Sequence, residues 1–284
     1  MLIGQFWGTS AAEGTPAPFC RCEGCLHARK VGGKNIKTRS CFRLTDKIMI
    51  DLGADAVQQA IKYGDIADVE HVLVSHTHDD HLNPHMLMEA MWSKNYRKPL
   101  HYYFTDKAFD IVDHWRNNSW ILKGKVRSFE EEGLVVFHQW EYGKRYALDG
   151  LFITPIRGAH FGNVGENTAL FLIELPDGRT LFHGLDSGPY YPETLEALKG
   201  RHIDHYIVEA AAGLRIPNDK QHINFPMVRE LADQLIAQGT LDETSTLYVS
   251  HINHYTSHDA SVEAIEKLNF PIKTVVAYDG LRIL

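Results

Sequence analysis

Long apolar runs are missing from this 284-residue chain: 44% of its residues are hydrophobic, yet no uninterrupted stretch approaches the ~20 residues needed to cross a bilayer. No membrane partner is expected. Residues 1–8 carry neither a basic n-region nor a long apolar h-region, which argues against a secretory signal and for a first strand in a cytoplasmic protein. Cysteine is scarce, and four residues are too few to staple a chain of this size into a disulfide scaffold. Positive charge is in deficit, since 29 Lys and Arg against 36 Asp and Glu give a net charge of −7; this argues against a nucleic-acid partner. The one basic stretch, with Arg29, Lys30, Lys34, Lys37, Arg39 and Arg43, reads as a solvated loop and strand edge. Ser/Gly-rich and Pro-rich linkers are also absent, which predicts a single domain over residues 1–284.

What the chain does have is the hexapeptide His76-Thr77-His78-Asp79-Asp80-His81, three imidazoles and two carboxylates at the end of an apolar run. Neutral imidazole nitrogens and carboxylate oxygens are ligands for zinc, manganese or iron. A tight turn through this segment can present two ligand pairs in different directions, which suits two ions better than one. Three of the cysteines, Cys20, Cys22 and Cys25, form a Cys-x-Cys-x-x-Cys array that in a reducing compartment also points to metal.

Short apolar runs bounded by Gly, Pro, Asp or Asn predict strands over residues 2–7, 47–50, 71–74, 151–156, 169–175, 180–183, 205–208, 247–249 and 274–277. Amphipathic stretches predict helices over 55–63, 84–92, 106–117, 192–199, 225–238 and 257–268. Their interleaving argues an α/β fold. Ligand-type residues then recur beyond strand ends, at His160, Asp186 and His251, where α/β proteins build their sites.

The order His-x-His-x-Asp-His, a distant His, Asp in Gly184-Leu185-Asp186-Ser187-Gly188 and a His near the C-terminus resembles the metallo-β-lactamase superfamily over nearly the whole chain. The resemblance implies an αββα four-layer sandwich of two mixed β-sheets flanked by helices, with metals at one edge. It implies His76, His78 and His160 around a first ion, Asp80, His81 and His251 around a second, and Asp186 bridging both. His138 and His183 compete with His160 for its place. Asp51, after the run 47–50, is either a support for the ligand loop or an N-cap of the next helix.

Gly8-Thr9-Ser10 through Gly14-Thr15-Pro16, leading into the cysteine array, is similar to the PhnP-type phosphodiesterases of cyclic ribose phosphates. That similarity implies a structural Zn²⁺ held by Cys20, Cys22, Cys25 and His254, with the zinc loop spanning about residues 14–30; Cys41 is the competing fourth ligand. His222 would assist at the phosphate, unless it is a surface residue before the helix at Phe225. The implied activity is hydrolysis of a small cyclic or nucleotide-type phosphodiester by hydroxide on two divalent ions (Mn²⁺ or Zn²⁺, with Fe accepted), Asp80 and His222 taking catalytic roles.

Other readings are a tRNA 3′-processing-type endonuclease, a hydroxylase-type accessory protein of pyrroloquinoline quinone biosynthesis, and a metal-stabilised binding module without turnover. A homodimer is compatible with all of these. The segment 95–148, with Trp115, Trp120, Trp140 and the acidic run 130–132, offers a capping insertion; its tryptophans and Trp92 read as core.

Overall fold

Two mixed β-sheets account for the apolar runs. In a computed structural model, which describes all residues except 94–97, 119–120 and 218–219, the first sheet contains β1 (Leu2–Gly8), β2 (Cys41–Thr45), β3 (Ile48–Ile50), β4 (His71–Leu73), β5 (Leu100–Thr105) and β6 (Val135–Trp140), side by side in that order. Its first three strands are antiparallel neighbours, and from β3 onward the pairing is parallel. The second sheet runs β7 (Tyr146–Leu148), β8 (Leu151–Phe161), β9 (Asn167–Glu174), β10 (Thr180–Gly184), β11 (His205–Glu209), β12 (Thr246–Ser250) and β13 (Lys273–Val276), again in chain order. Here the pairing is antiparallel from β7 to β10 and parallel from β10 to β13.

Three apolar layers separate four structural ones. Phe6, Phe42, Ile48, Leu73, Phe171, Leu181 and Ile207 fill the space between the sheets. The outer face of the first sheet, with Met49, Val72, Tyr102 and Phe104, packs against α2 (Ala56–Tyr63), α3 (His85–Trp92), α4 (Asp110–Asn117) and α5 (Val126–Glu131). The outer face of the second, with Leu170, Tyr206 and Val249, packs against α6 (Pro192–Leu198), α7 (Phe225–Ala237) and α8 (His258–Leu268). This is the four-layer αββα arrangement that the resemblance implied. Local chemistry starts the last two helices: Asn224 Oδ1 accepts from the Met227 amide at 3.0 Å with Pro226 in the first turn, and Ser257 Oγ accepts from Ala260 at 3.2 Å.

Several elements escaped the hydrophobic pattern. Strands β5 and β6 carry His101, His138 and Gln139 among their apolar residues, which breaks the apolar runs although Pro99 and Gly133 stand before them. The segment 95–148 therefore supplies two strands of the first sheet together with α4 and α5 packed on its outer face. Trp115 and Trp140 are buried there, Trp92 is exposed, and Trp120 lies outside the described residues. Residues 106–117 divide into a 3₁₀ turn and α4. Strand β8 continues five residues beyond the expected 156, paired with β9 as far as Phe161, and Pro155 is tolerated because it lies past the last residue that pairs with β7, on what is locally an edge.

His183 of β10 is buried between the rings of Phe42 and Phe171, with ring centroids 5.7 and 6.5 Å away, so its competition with His160 is settled by the inter-sheet core. Burial pushes its imidazole down to about 4. The folded protein therefore resists a proton that the unfolded chain accepts near pH 6.5, and stability is lost as pH falls from about 6.5 towards 4. Urea unfolding across that window is expected to show roughly 3 kcal/mol less acid loss in His183→Leu than in the wild type; parallel pH profiles would place the acid sensitivity elsewhere.

Candidate metal centre

The hexapeptide follows β4 by way of Val74 and Ser75 and is held from below by Asp51. That residue follows β3 in a left-handed conformation (φ 62°). Its carboxylate accepts from the Ser75 amide and hydroxyl, each at 2.8 Å, and lies 2.7 Å from His81 Nδ1. Asp51 is thus the support of the ligand loop; α2 is preceded by Asp55 instead, which makes no capping bond. A Cβ at Gly53 would collide with the Asp80 carbonyl, so this position must be glycine for the loop to lie where it does.

From above, the β8–β9 turn clamps the same loop. Buried Glu166 accepts from the Thr77 amide at 2.7 Å and the Val164 amide at 3.1 Å, while Asn163 Nδ2 donates to the Thr77 carbonyl at 2.7 Å.

Strand ends deliver the remaining groups: His160 on β8, Asp186 after β10, Glu209 closing β11 and His251 after β12. Asp186 and His251 have positive φ (53° and 51°), backbone strain that persists where surrounding contacts enforce it. Asp186 is the hub. Its Oδ2 lies 3.3 Å from His76 Nε2, 3.3 Å from His81 Nε2 and 3.4 Å from His251 Nε2. Its Oδ1 lies 3.2 Å from His222 Nδ1 and 3.6 Å from His160 Nδ1.

The ligand atoms of His76, His78, His160 and Asp186 all fall within 4.8 Å of one another, and so do those of Asp80, His81, Asp186 and His251. These are the two sets expected from the sequence, sharing the expected residue.

The pocket is short of positive charge and of hydrogen-bond partners. His81 Nε2, His160 Nδ1, Asp186 Oδ1 and His222 Nδ1 are buried without a hydrogen bond, an arrangement that a packed interior does not tolerate unless another group completes it. Burial opposes ionisation of Asp186, but the imidazoles of His251, His160 and His222 outweigh it and hold the carboxyl well below the usual range; Asp80 is lowered against burial by His81 and His251. Burial likewise opposes a proton on His81, which Asp80 and Asp51 restore, whereas burial and His81 push His76 down to about 3. Carboxylates gathered with imidazoles in a nearly solvent-free pocket fit divalent metal ions, which would take the place of the proton on His81.

His222 precedes α7 and stands at the mouth, its side chain 30% exposed where His76, His81 and His251 are buried. Its Nδ1 is within ion-pair distance of Asp186 and of Glu209 Oε2 (3.4 Å), though its N–H is not aligned on either. Burial disfavours its charge, but those two carboxylates override it and raise the imidazole to about 11. Glu209 was missed in the sequence, although it ends an apolar run as the other ligands do. Its oxygens accept from the Gly188 and Ala211 amides at 2.7 and 2.9 Å, which fixes it as an orienter of His222.

A second cluster lies along the chain from His251. Cys20, Cys22, Cys25 and His254 bring their ligand atoms within 4.8 Å, around the start of α1 (Glu23–Val31). His254 Nδ1 is buried without a hydrogen bond, and burial pushes the Cys25 thiol up to about 11, so a cation is the natural partner for ionised sulfur here. Cys41 is elsewhere, buried in the core at the start of β2.

Between the two clusters runs the turn 251–256. Ser40 Oγ is 2.6 Å from His251 Nδ1, and buried Lys37, which the sequence placed on a solvated edge, donates to the Ile252 and Thr256 carbonyls at 3.4 and 3.5 Å. Burying an ammonium costs a great deal unless it is paired, and this one is spent on holding the ligand turn.

Comparison with known proteins gives the family and the fold. The chain matches the model of the beta-lactamase superfamily domain over residues 46–271. Among curated proteins none matches it. Among solved structures it is similar to a new diphosphatase from the PhnP family, at 18% identity and TM-score 0.71 over 99% of this chain and 96% of the other. Zinc-bound PqqB from Methylobacterium extorquens superposes at 16% identity and TM-score 0.74 over 100% of both chains. The short form of human tRNase Z does so at 14% identity and TM-score 0.61, over 100% of this chain and 99% of the other. No helix among the described residues is long and apolar enough to cross a membrane. The matched model spans most of the sequence, and the chain belongs to the metallo-β-lactamase superfamily of metal-dependent hydrolases.

Proposed function

We propose that this protein is a phosphodiesterase acting on a small cyclic or nucleotide-type phosphodiester. His76, His78, His160 and Asp186 would hold one divalent ion, Asp80, His81, Asp186 and His251 a second, and Cys20, Cys22, Cys25 and His254 a structural zinc. Ions bound at the first two sites supply Lewis acidity to phosphoryl oxygens and draw the pKa of water towards neutrality. His222 carries the substrate assignment. Its Nδ1 faces Asp186 and Glu209 at 3.2 and 3.4 Å, carboxylates that favour the protonated ring, which leaves Nε2 as the nitrogen for substrate at the mouth. A cationic donor there stabilises charge on a phosphate oxygen or passes its Nε2 proton to a departing alkoxide. Asp80, buried and charged, orients the attacking water through its carboxylate.

The test is turnover of a 2′,3′-cyclic nucleotide and of bis(p-nitrophenyl) phosphate by manganese- or zinc-loaded protein. His222→Ala is expected to lower kcat on the cyclic nucleotide about 10²-fold while metal content is unchanged. Full activity in this variant, or none in the wild type at any metal loading, would remove the assignment.

A further inference from the structure

A phosphodiester seated under His222 has a second substituent to place, and residues 213–217 lie beside the segment that carries His222. This loop is anchored at both ends. The Ala212 amide donates to the Ile223 carbonyl at 3.0 Å and Asn224 Nδ2 to the Arg215 carbonyl at 3.1 Å, so Arg215 lies beside a residue two positions from His222, a span of at most about 7 Å. The Leu214 amide approaches Thr256 Oγ1 at 3.4 Å, and the left-handed Gly213 packs on the same threonine, which ties the loop to the turn carrying His251 and His254.

On this loop the guanidinium of Arg215 lies 3.2 Å from the centroid of the Tyr255 ring, and that ring rests in turn on His254 with centroids 4.0 Å apart. Arg215 is exposed, and no described carboxylate pairs with it. Leu214 and Ile216 beside it are 61% and 89% exposed. A flat cation backed by an aromatic ring presents a planar face of low conformational freedom. Exposed aliphatic neighbours weigh against a bare anion as its ligand, because they would desolvate it without pairing it; a planar aromatic loses nothing by lying against them.

We propose that Arg215, held flat by Tyr255, is a stacking platform for the nucleobase of a nucleotidyl phosphodiester and is the residue that sets preference for nucleoside-bearing substrates. The proposal rests on the phosphodiesterase reading, which it makes more specific. It is tested on the metal-loaded protein with thymidine 5′-(p-nitrophenyl phosphate) and methyl p-nitrophenyl phosphate, two esters with one leaving group. Arg215→Ala is expected to raise KM for the thymidine ester about tenfold and to leave kcat/KM for the methyl ester unchanged. Arg215→Lys, which keeps the charge and loses the plane, is expected to recover little of the loss. Equal falls on both esters, no fall on either, or full rescue by lysine overturns the platform. A wild type that hydrolyses neither ester removes the phosphodiesterase reading instead. Calorimetric titration with thymidine 5′-monophosphate then decides the platform alone: binding about tenfold weaker in Arg215→Ala supports it, and equal or absent binding overturns it.

Discussion

Asp186→Ala is expected to lower kcat on phosphodiesters by at least about 10³-fold and to deplete both ions of the His/Asp centre, while the protein stays folded. The size of the effect follows from position. Five imidazole nitrogens, from His76, His81, His160, His222 and His251, lie 3.2 to 3.6 Å from its two oxygens. Among the described residues no other side chain belongs to both ligand sets, so no neighbour can take over. His222 also loses one of the two carboxylates that keep its proton, and the remaining one, Glu209, is already shared with two backbone amides. Metal analysis after gel filtration, with turnover on the same sample, checks this. Retention of both ions and of activity would show that Asp186 is an internal counter-charge for the histidines and no ligand.

The second large effect is expected from Cys22→Ser. Loss of the thiolate should remove the proposed structural zinc; the binding free energy of such an ion in small zinc domains is ~10–16 kcal/mol and is coupled to folding. It should also weaken the ion held by Asp80, His81, Asp186 and His251 by about 10- to 100-fold, the range seen when supports of ligands are lost. The coupling is structural: His254 belongs to the cysteine cluster, His251 to the catalytic one, and the turn joining them is pinned by Ser40 and Lys37. Gly24, at the start of α1, packs so closely on this turn that a Cβ there would meet the His254 and Tyr255 carbonyls at 2.6 and 2.7 Å. Competition titration with a chromogenic chelator separates the two sites by affinity. An unchanged affinity at the His/Asp centre would show that the clusters are independent.

Residues whose chemistry is rare and whose spacing is local are legible in the amino-acid sequence. The hexapeptide, the acid in Gly-Leu-Asp-Ser-Gly and the Cys-x-Cys-x-x-Cys array each announce themselves within a few residues, and the strand-end rule points to His160 and His251. Ambiguities left by the sequence are between residues of equal chemistry. His183 and His160 follow similar apolar runs, and only the inter-sheet core, which encloses His183 between two phenylalanine rings, separates them. Cys41 and His254 are rivals because thiolate and imidazole both serve as zinc ligands, and the burial of Cys41 in the core separates those.

By itself the sequence determined the fold class, the ligand chemistry and the pairing of a His/Asp centre with a cysteine cluster, because periodic hydrophobicity and clustered donors are properties of short segments. Tertiary structure alone decided how these parts are held. Glu166 clamps Thr77 across 89 positions, and Ser40 orients His251 across 211. Lys37 is drawn from an apparent surface into the turn beneath His251, and Arg215 is laid on Tyr255. Glutamate, serine, lysine and arginine are common residues with no local signature, and what they do here depends on which distant backbone the two sheets bring beside them.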